Sequence, residues 1–163
     1  MNATTFISAQ YDMVSEWMMG VIREFSDEEF RLEISPGKNH ALWILCHLVT
    51  SDDDFSLYMG KSELLYPEYA ELFSQGRKLL PFEQCPSPKD VRNALEKVIE
   101  KNKLVYSSLR DKELNEPHAL MNDPENDFFK TKARVIMAWQ LHQVYHTGQL
   151  ASILSAAGKK VYG

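Results

Sequence analysis

The chain has 163 residues, 44% hydrophobic and 25% charged, and its 18 basic and 23 acidic residues give a net charge of −5. These values are typical of a globular protein, so we expect one domain over residues 1–163 whose core needs neither disulfides nor a structural metal. No basic block or arginine-rich stripe is present, which argues against a nucleic acid as the main partner.

Four segments have the apolar periodicity of long amphipathic helices. The first runs from about Ala3 to Glu24. Residues 26–29 then form a Ser-Asp-Glu-Glu capping-box pattern that predicts a short helical turn, and Pro36-Gly37 breaks the chain. The second long helix runs from about Lys38 to Tyr58, with Asn39 as the candidate N-cap.

The third long helix follows a connection over residues 59–87 that is punctuated by prolines. This connection contains a short predicted helix at about Glu68–Phe73. The third helix, residues 88–109, has a clear start, because Ser87 is a typical N-cap and Asp90 completes a capping box.

The fourth long helix runs from about Thr131 to Ala157 and ends at Gly158. We find no convincing β-strand pattern. The short link between the first two long helices predicts antiparallel neighbours, whereas the long link between the second and third can run back along the bundle and leave them parallel. The sequence therefore predicts an all-α four-helix bundle with a long crossover, in the order up, down, down, up.

The two cysteines, Cys46 and Cys85, form neither a C-x-x-C motif nor a disulfide framework, which indicates a reduced setting. Residues 1–13 have no basic region and no long apolar run, unlike a secretory signal. No segment approaches the length of apolar chain that spans a membrane. We therefore expect a cytoplasmic protein without a membrane partner.

Three histidines are the main candidates for a functional site. His142 and His146 lie four positions apart on the fourth helix, so their imidazoles share one face, with Cβ atoms about 6 Å apart. The apolar residues on that face indicate that it points into the core, whereas we expect Gln140, Gln143 and Thr147 to point elsewhere. Two imidazoles directed at a core need polar partners or a metal ion.

His47 on the second helix is the third candidate, since its face is apolar in the first half and polar in the second, as suits a cavity wall. Together the residues favour one divalent ion on His47, His142 and His146, with hydrogen-bonded core histidines as the alternative. The residues that we expect to line the pocket or orient the ligands are Trp43, Thr50, Asp54, Trp139 and Gln149.

Two other kinds of metal site are disfavoured. The pair His142 and His146 has zincin spacing, but Gln143 occupies the position of the catalytic glutamate, and an amide cannot act as a general base. Di-iron bundles need paired Glu-x-x-His motifs, which this sequence lacks.

Two segments resemble motifs of the DinB/YfiT-like superfamily. Residues 39–48, NHALWILCHL, are similar to its helix-2 motif, in which a tryptophan precedes the metal histidine by four positions. Residues 144–150, VYHTGQL, are similar to its C-terminal motif, in which H-x-x-x-H is followed by Gly-Gln. The helix order and the long middle connection agree as well, so the resemblance covers nearly the whole chain.

The resemblance implies a four-helix bundle, often a homodimer, with nickel, zinc or a similar ion on His47, His142 and His146. It implies a metal-dependent enzyme of the small-thiol S-transferase or hydrolase type, with a small-molecule substrate and a thiol such as bacillithiol or mycothiol. Many members have an acidic residue where this chain has Gln143, which bears on the reactivity of the site. The alternative is a non-catalytic, stress-related binding protein whose metal is structural or absent.

We expect the other polar candidates to be ordinary surface residues. These are His40, His118 and the acidic runs at 52–54 and 123–127, while Cys46 is expected to pack in the core. Helix 1 carries more apolar side chains than one stripe needs, which together with the resemblance predicts a homodimer. The side chains concerned are Trp17, Met18, Met19 and Phe25.

Overall fold

The structure is a computed structural model that describes residues 2–161, and this part of the chain is all-α, as predicted. Its helices are α1 (Ala3–Arg23), α2 (Ala41–Met59), α3 (Pro67–Phe73), α4 (Pro88–Ser108) and α5 (Lys132–Ala156). Short 3-10 turns lie at Glu28–Arg31, Phe82–Gln84 and Asp111–Glu113. Among the helices of residues 2–161, none is both long and apolar enough to cross a membrane.

The four long helices run up, down, down, up, as the long crossover predicts. At the start of α2, His40 bonds to the Leu80 carbonyl just before α4. Near the other end, Asn102 of α4 donates to the carbonyl of Asp52 on α2. Equivalent ends of α2 and α4 therefore lie together, and these two helices are parallel.

The first two long helices are antiparallel, but they are not neighbours. Both α1 and α2 pack against α4 and α5, so α1 and α2 occupy opposite corners of the bundle. The predicted adjacency was wrong because residues 24–40 cross the end of the bundle instead of forming a tight turn. The 3-10 turn in this link packs against α2, and Phe30 within it is fully buried and stacked on Phe25.

Local capping explains most helix starts. Ser87 accepts from the Asp90 N–H at 3.2 Å, as predicted. The cap of α2 is His40 instead of Asn39, because His40 Nδ1 accepts from the Trp43 N–H at 3.1 Å. His40 is only 5% exposed, so its assignment to the surface was wrong. Its ring is covered by the crossover, whose Leu80 carbonyl accepts from Nε2 at 2.9 Å.

Nearly all of α2 is buried, which overturns the expectation that residues 52–54 are solvated. Asp52 and Asp53 are each 1% exposed, whereas Asp54 is half-buried. The Asp53 carboxylate accepts the N–H groups of Leu65 and Tyr66 at 2.8 Å and pairs with Lys101 of α4. Other elements surround α2, so its three adjacent carboxylates cannot all reach solvent. Asp53 instead stabilises the crossover against α2 and α4 through these contacts.

The inward face of α5 is more polar than expected. Gln140, Gln143 and Thr147 are buried, so the prediction that they point away from the core was wrong. The reason lies on α2, where the Asp52 carboxylate is buried and needs donors. Gln143 Nε2 supplies one, at 2.6 Å from Asp52 Oδ2.

This buried polar cluster is short of donors. Within the described residues, Asp52 Oδ1, Asn102 Oδ1 and Gln143 Oε1 have no hydrogen-bond partner. Burial raises the pKa of Asp52 to about 7. A protonated Asp52 has an O–H that can donate a hydrogen bond to one of these acceptors, which agrees with the raised pKa of Asp52.

The apolar surface of α1 is also placed differently. Met18, Met19 and Phe25 belong to the core, and Trp17 alone of the four predicted interface residues is well exposed. The homodimer stays a prediction, but its candidate surface moves to the outer faces of the neighbouring helices α1 and α5. The exposed apolar side chains there are Phe6, Met13, Trp17, Met137 and Leu141.

A single charge on this surface tests the dimer. We expect wild-type protein to scatter light with about twice the mass of one chain, and Leu141→Lys to scatter as a monomer, because the charge would be buried at the interface. Leu104→Lys, on an equally exposed leucine of α4, is the control. A wild-type monomer at high concentration would contradict the prediction.

The pH dependence of stability tests the Asp52 cluster. The pKa of Asp52 is higher in the folded chain than the usual value of about 4, so its contribution is greatest at low pH and declines between about pH 4 and 7. We expect Asp52→Asn to remove this decline when metal-free protein is titrated with denaturant at several pH values. Glu16→Gln, on the exposed face of α1, should leave the profile unchanged. Parallel profiles for wild type and Asp52→Asn would contradict the assignment.

Candidate metal centre

Three imidazoles meet where α2 and α5 face each other. His47 Nε2 lies 3.1 Å from His142 Nε2, and His146 Nε2 lies 3.0 Å from the same atom. The ligand atoms of all three lie within 4.8 Å of one another, so the three side chains could hold one metal ion. One helical turn separates His142 from His146, and the antiparallel course of α2 brings His47 opposite them.

The second ring nitrogen of two of these histidines is bonded to an oxygen that only accepts. His47 Nδ1 donates to the Phe73 carbonyl at 2.7 Å, and His146 Nδ1 donates to Gln149 Oε1 at 2.7 Å. These partners assign the proton to Nδ1 and leave the lone pair on Nε2. Such a contact is the usual way in which a metal-binding histidine is oriented.

His142 follows the same pattern more loosely. Its Nδ1 lies 3.4 Å from Ser51 Oγ, whose own proton is donated to the His47 carbonyl at 2.9 Å. Ser51 therefore acts as an acceptor toward His142. The three Nε2 lone pairs then converge without a proton between them.

The electrostatics keep the three rings neutral. Burial, together with repulsion from the two other rings, lowers the pKa of His142 to about 3. Burial likewise lowers the pKa of His146 to about 4 and shifts the pKa of His47 downward. Neutral lone pairs that face one another repel, and a cation is the partner that satisfies all three. The donor set therefore fits a divalent ion such as zinc, nickel, copper or iron.

Two tryptophans flank the cluster. The Trp43 ring stacks on His47 with centroids 5.4 Å apart. Trp139 donates its indole N–H to the Ser51 carbonyl at 2.5 Å and packs against Tyr58. Both rings thus restrict the movement of elements that carry or orient the ligands.

Two cavities open beside the imidazoles, and His47, His142 and Gln75 line both of them. The cavity that we call the aromatic cavity has a volume of about 390 Å³ and is also lined by Thr50, Asp54, Tyr58, Phe129 and Trp139. The cavity that we call the polar cavity has a volume of about 420 Å³ and is also lined by Asn39, Trp43, Arg77, His146 and Gln149. The histidine cluster therefore forms part of the wall of both cavities, and each cavity gives a small molecule room beside the imidazoles.

The predicted pocket residues all lie in these walls, with different contacts. Thr50 is buried, and its hydroxyl donates to the Cys46 carbonyl at 3.1 Å. Burial raises the pKa of Asp54 to about 6, with a further contribution from the nearby Asp53 carboxylate. Asp54 is thus the titratable carboxyl in the lining of the aromatic cavity.

Gln143 does not face the imidazoles. Its amide lies in the core against Asp52. The residue type at this position therefore bears on core packing and only indirectly on the ligands. Cys46, next to His47 in sequence, is fully buried in the core as expected.

His40 and His118 do not join the cluster formed within residues 2–161. His118 is buried, with Nε2 3.0 Å from Asp127 Oδ2, so its surface assignment was also wrong. The surrounding loop covers it because the Ala119 N–H bonds to the carbonyl of Tyr58 at 2.8 Å.

The contribution of the crossover was missed at the level of sequence. Phe73 supplies a backbone carbonyl to His47, and Gln75 and Arg77 line cavities. A backbone carbonyl that orients a metal ligand cannot be recognised in the sequence, because any residue type can supply it. The available signal was the length of the connection over residues 59–87, which exceeds what a return along the bundle requires.

The comparisons with known proteins agree with this architecture. A family model described as the DinB superfamily matches residues 10–150. A DinB-like protein from Bacillus cereus ATCC 10987 has a crystal structure that is 22% identical, with a TM-score of 0.71 over 96% of this chain and 94% of that chain. A conserved protein from Enterococcus faecalis is 14% identical, with a TM-score of 0.65 over 95% of this chain and 99% of that chain. No curated protein sequence matches the chain.

Nitrogen NMR tests the assigned tautomers. Because burial lowers all three pKa values, we expect the rings of metal-free protein to carry their proton on Nδ1 and to become charged only below the usual histidine range. His142 and His146, with pKa values of about 3 and about 4, should still be neutral at about pH 5. Long-range proton–nitrogen spectra of labelled protein would report this directly. His142 titrating near the unperturbed value of about 6.5 would contradict the arrangement.

Proposed function

This chain belongs to the DinB superfamily, and on that premise we propose that it is a metal-dependent enzyme of the small-thiol transferase or hydrolase type. The observation that carries the proposal is the convergence of three neutral Nε2 lone pairs at the junction of two cavities. A small-molecule substrate fits cavities of this size.

The proposed cofactor is one divalent ion, nickel or zinc, on His47, His142 and His146. Three neutral ligands leave the charge of such an ion uncompensated, so it would lower the pKa of a bound thiol or water toward neutrality. Phe73, Ser51 and Gln149 contribute by fixing the orientation of the imidazoles.

Asp54 is the proposed general base. A carboxyl with a pKa of about 6 is mostly ionised at pH 7 and yet basic enough to accept a proton. In the transfer reaction the thiol S–H bond breaks and its proton passes to Asp54. A sulfur–carbon bond then forms at the acceptor, and the leaving group departs with its electron pair. In the hydrolytic reaction a water molecule takes the place of the thiol.

A binding protein with a structural ion is the alternative. Structural metal sites are normally closed by protein ligands, whereas catalytic sites keep an open position. The imidazoles here border two cavities, and this favours the enzyme.

Metal affinity tests the ligands. We expect about one zinc or nickel ion per chain, and His47→Ala, His142→Ala and His146→Ala should each weaken binding by at least about 10- to 100-fold, the cost of losing even an orienting contact. Competition with a chromophoric chelator measures this. His40→Asn is a matched control, because asparagine keeps the cap of α2. The assignment fails if His47→Ala binds metal like wild type.

Activity tests the base. Asp54→Asn should lower the turnover of metal-loaded protein by about 10²- to 10⁴-fold, because it removes the proton acceptor, while metal affinity stays unchanged. In wild type, turnover should fall as the pH drops below about 6, because the carboxylate becomes protonated. The measurement is a screen of small thiols with an alkylating acceptor. Full activity in Asp54→Asn across the pH range would exclude this role.

A further inference from the structure

The two cavities that border the imidazoles differ in charge. The aromatic cavity is lined by three aromatic rings and one carboxylate, those of Tyr58, Phe129, Trp139 and Asp54. Among residues 2–161, no carboxylate lines the polar cavity. Its polar groups include the guanidinium of Arg77 and the amides of Asn39, Gln75 and Gln149. An anion is therefore disfavoured in the aromatic cavity and favoured in the polar one.

A tight turn of the crossover gives the two cavities their different linings. The Arg77 N–H donates to the Ser74 carbonyl at 3.1 Å, and Gly76 between them has φ +82°, a conformation that glycine adopts without strain. Gln75 faces both cavities, whereas Arg77 lines the polar cavity alone. The turn thus places a cation on one side of the imidazoles.

Arg77 is available to a ligand. No carboxylate within residues 2–161 forms an ion pair with it. Its side chain is exposed at the cavity mouth. A guanidinium in this position can bind a carboxylate through two parallel hydrogen bonds.

We propose that two different molecules reach the three-histidine centre through separate cavities. A small thiol that bears a carboxylate enters through the polar cavity, and an aromatic or apolar acceptor enters through the aromatic cavity. The sulfur of the thiol reaches His47 and His142, which both cavities share, and there it faces the cavity that holds the proton acceptor Asp54. This inference rests on the proposed function and selects group transfer over hydrolysis, because hydrolysis needs only one organic substrate. Each cavity, at about 390 and 420 Å³, is large enough for a small molecule without using the other's space.

The charge preference is tested with protein loaded with cobalt(II), whose absorption reports a bound thiolate. The probes are 3-mercaptopropionate, 2-mercaptoethanol and cysteamine, which are similar in size and differ in charge. We expect 3-mercaptopropionate to bind about fivefold more tightly than the neutral thiol, a typical effect of one partly exposed ion pair. Arg77→Gln should abolish this preference. Lys78→Gln, which removes the adjacent cation outside the cavity lining, should retain it.

Simultaneous binding is tested with an unreactive aromatic probe, 4-methylbenzyl alcohol. At saturation it should change the Kd of 3-mercaptopropionate by less than about twofold. Phe129→Ala, which removes a ring of the aromatic cavity, should weaken binding of the alcohol alone. A Kd for the thiol that rises in proportion to the alcohol concentration would show one shared space and overturn the inference. Equal affinities for the three thiols in wild type and Arg77→Gln would do the same. Failure to take up cobalt at all would instead refute the proposed function.

Discussion

The structure depends on the burial of α2, because a polar side chain on a buried helix must find its partner inside the protein. The crossover and the helix α5 both provide such partners. The crossover gives backbone N–H groups to Asp53 and a carbonyl to His47, and α5 gives the Gln143 amide to Asp52. Each unpartnered buried polar group costs about 1–3 kcal/mol, so these contacts hold the elements in register. The Nε2 atoms of the histidine cluster differ, since their lone pairs face one another and are left for a cation.

The fold was largely predictable because its main determinants are local. The cap at Ser87 and the length of the crossover are readable from nearby residues, and they fix the helix starts and the helix directions. The corner occupied by each helix was not predictable, since the path of residues 24–40 is decided by packing at the end of the bundle. The inward face of α5 was also not predictable from apolar periodicity, because Gln143 is polar and is buried through its bond to a carboxylate on another helix.

In the histidine cluster, too, the features set by nearby residues were predictable and those set by tertiary packing were not. The spacing of His142 and His146 is a property of one helix, so the sequence shows it directly. Orientation is a property of the tertiary structure, because the atom that fixes His47 is the carbonyl of Phe73, 26 residues away. The buried state of His40 was missed for a related reason. The His40 ring caps α2 in place of the predicted Asn39, and it is covered by the crossover at Leu80, 40 residues further along the chain.

The turn at residues 74–77 has a consequence for how such a protein changes over evolution. The ligands lie on two helices that are fixed by the core, whereas Gln75 and Arg77 lie on an exposed connection. Replacement or insertion of residues in that connection alters what surrounds the ligands without disturbing the helices, since surface loops tolerate such changes. Mutation can therefore explore new chemistry on one inherited scaffold, and kinship in the helices of two such proteins need not mean kinship in what they act upon.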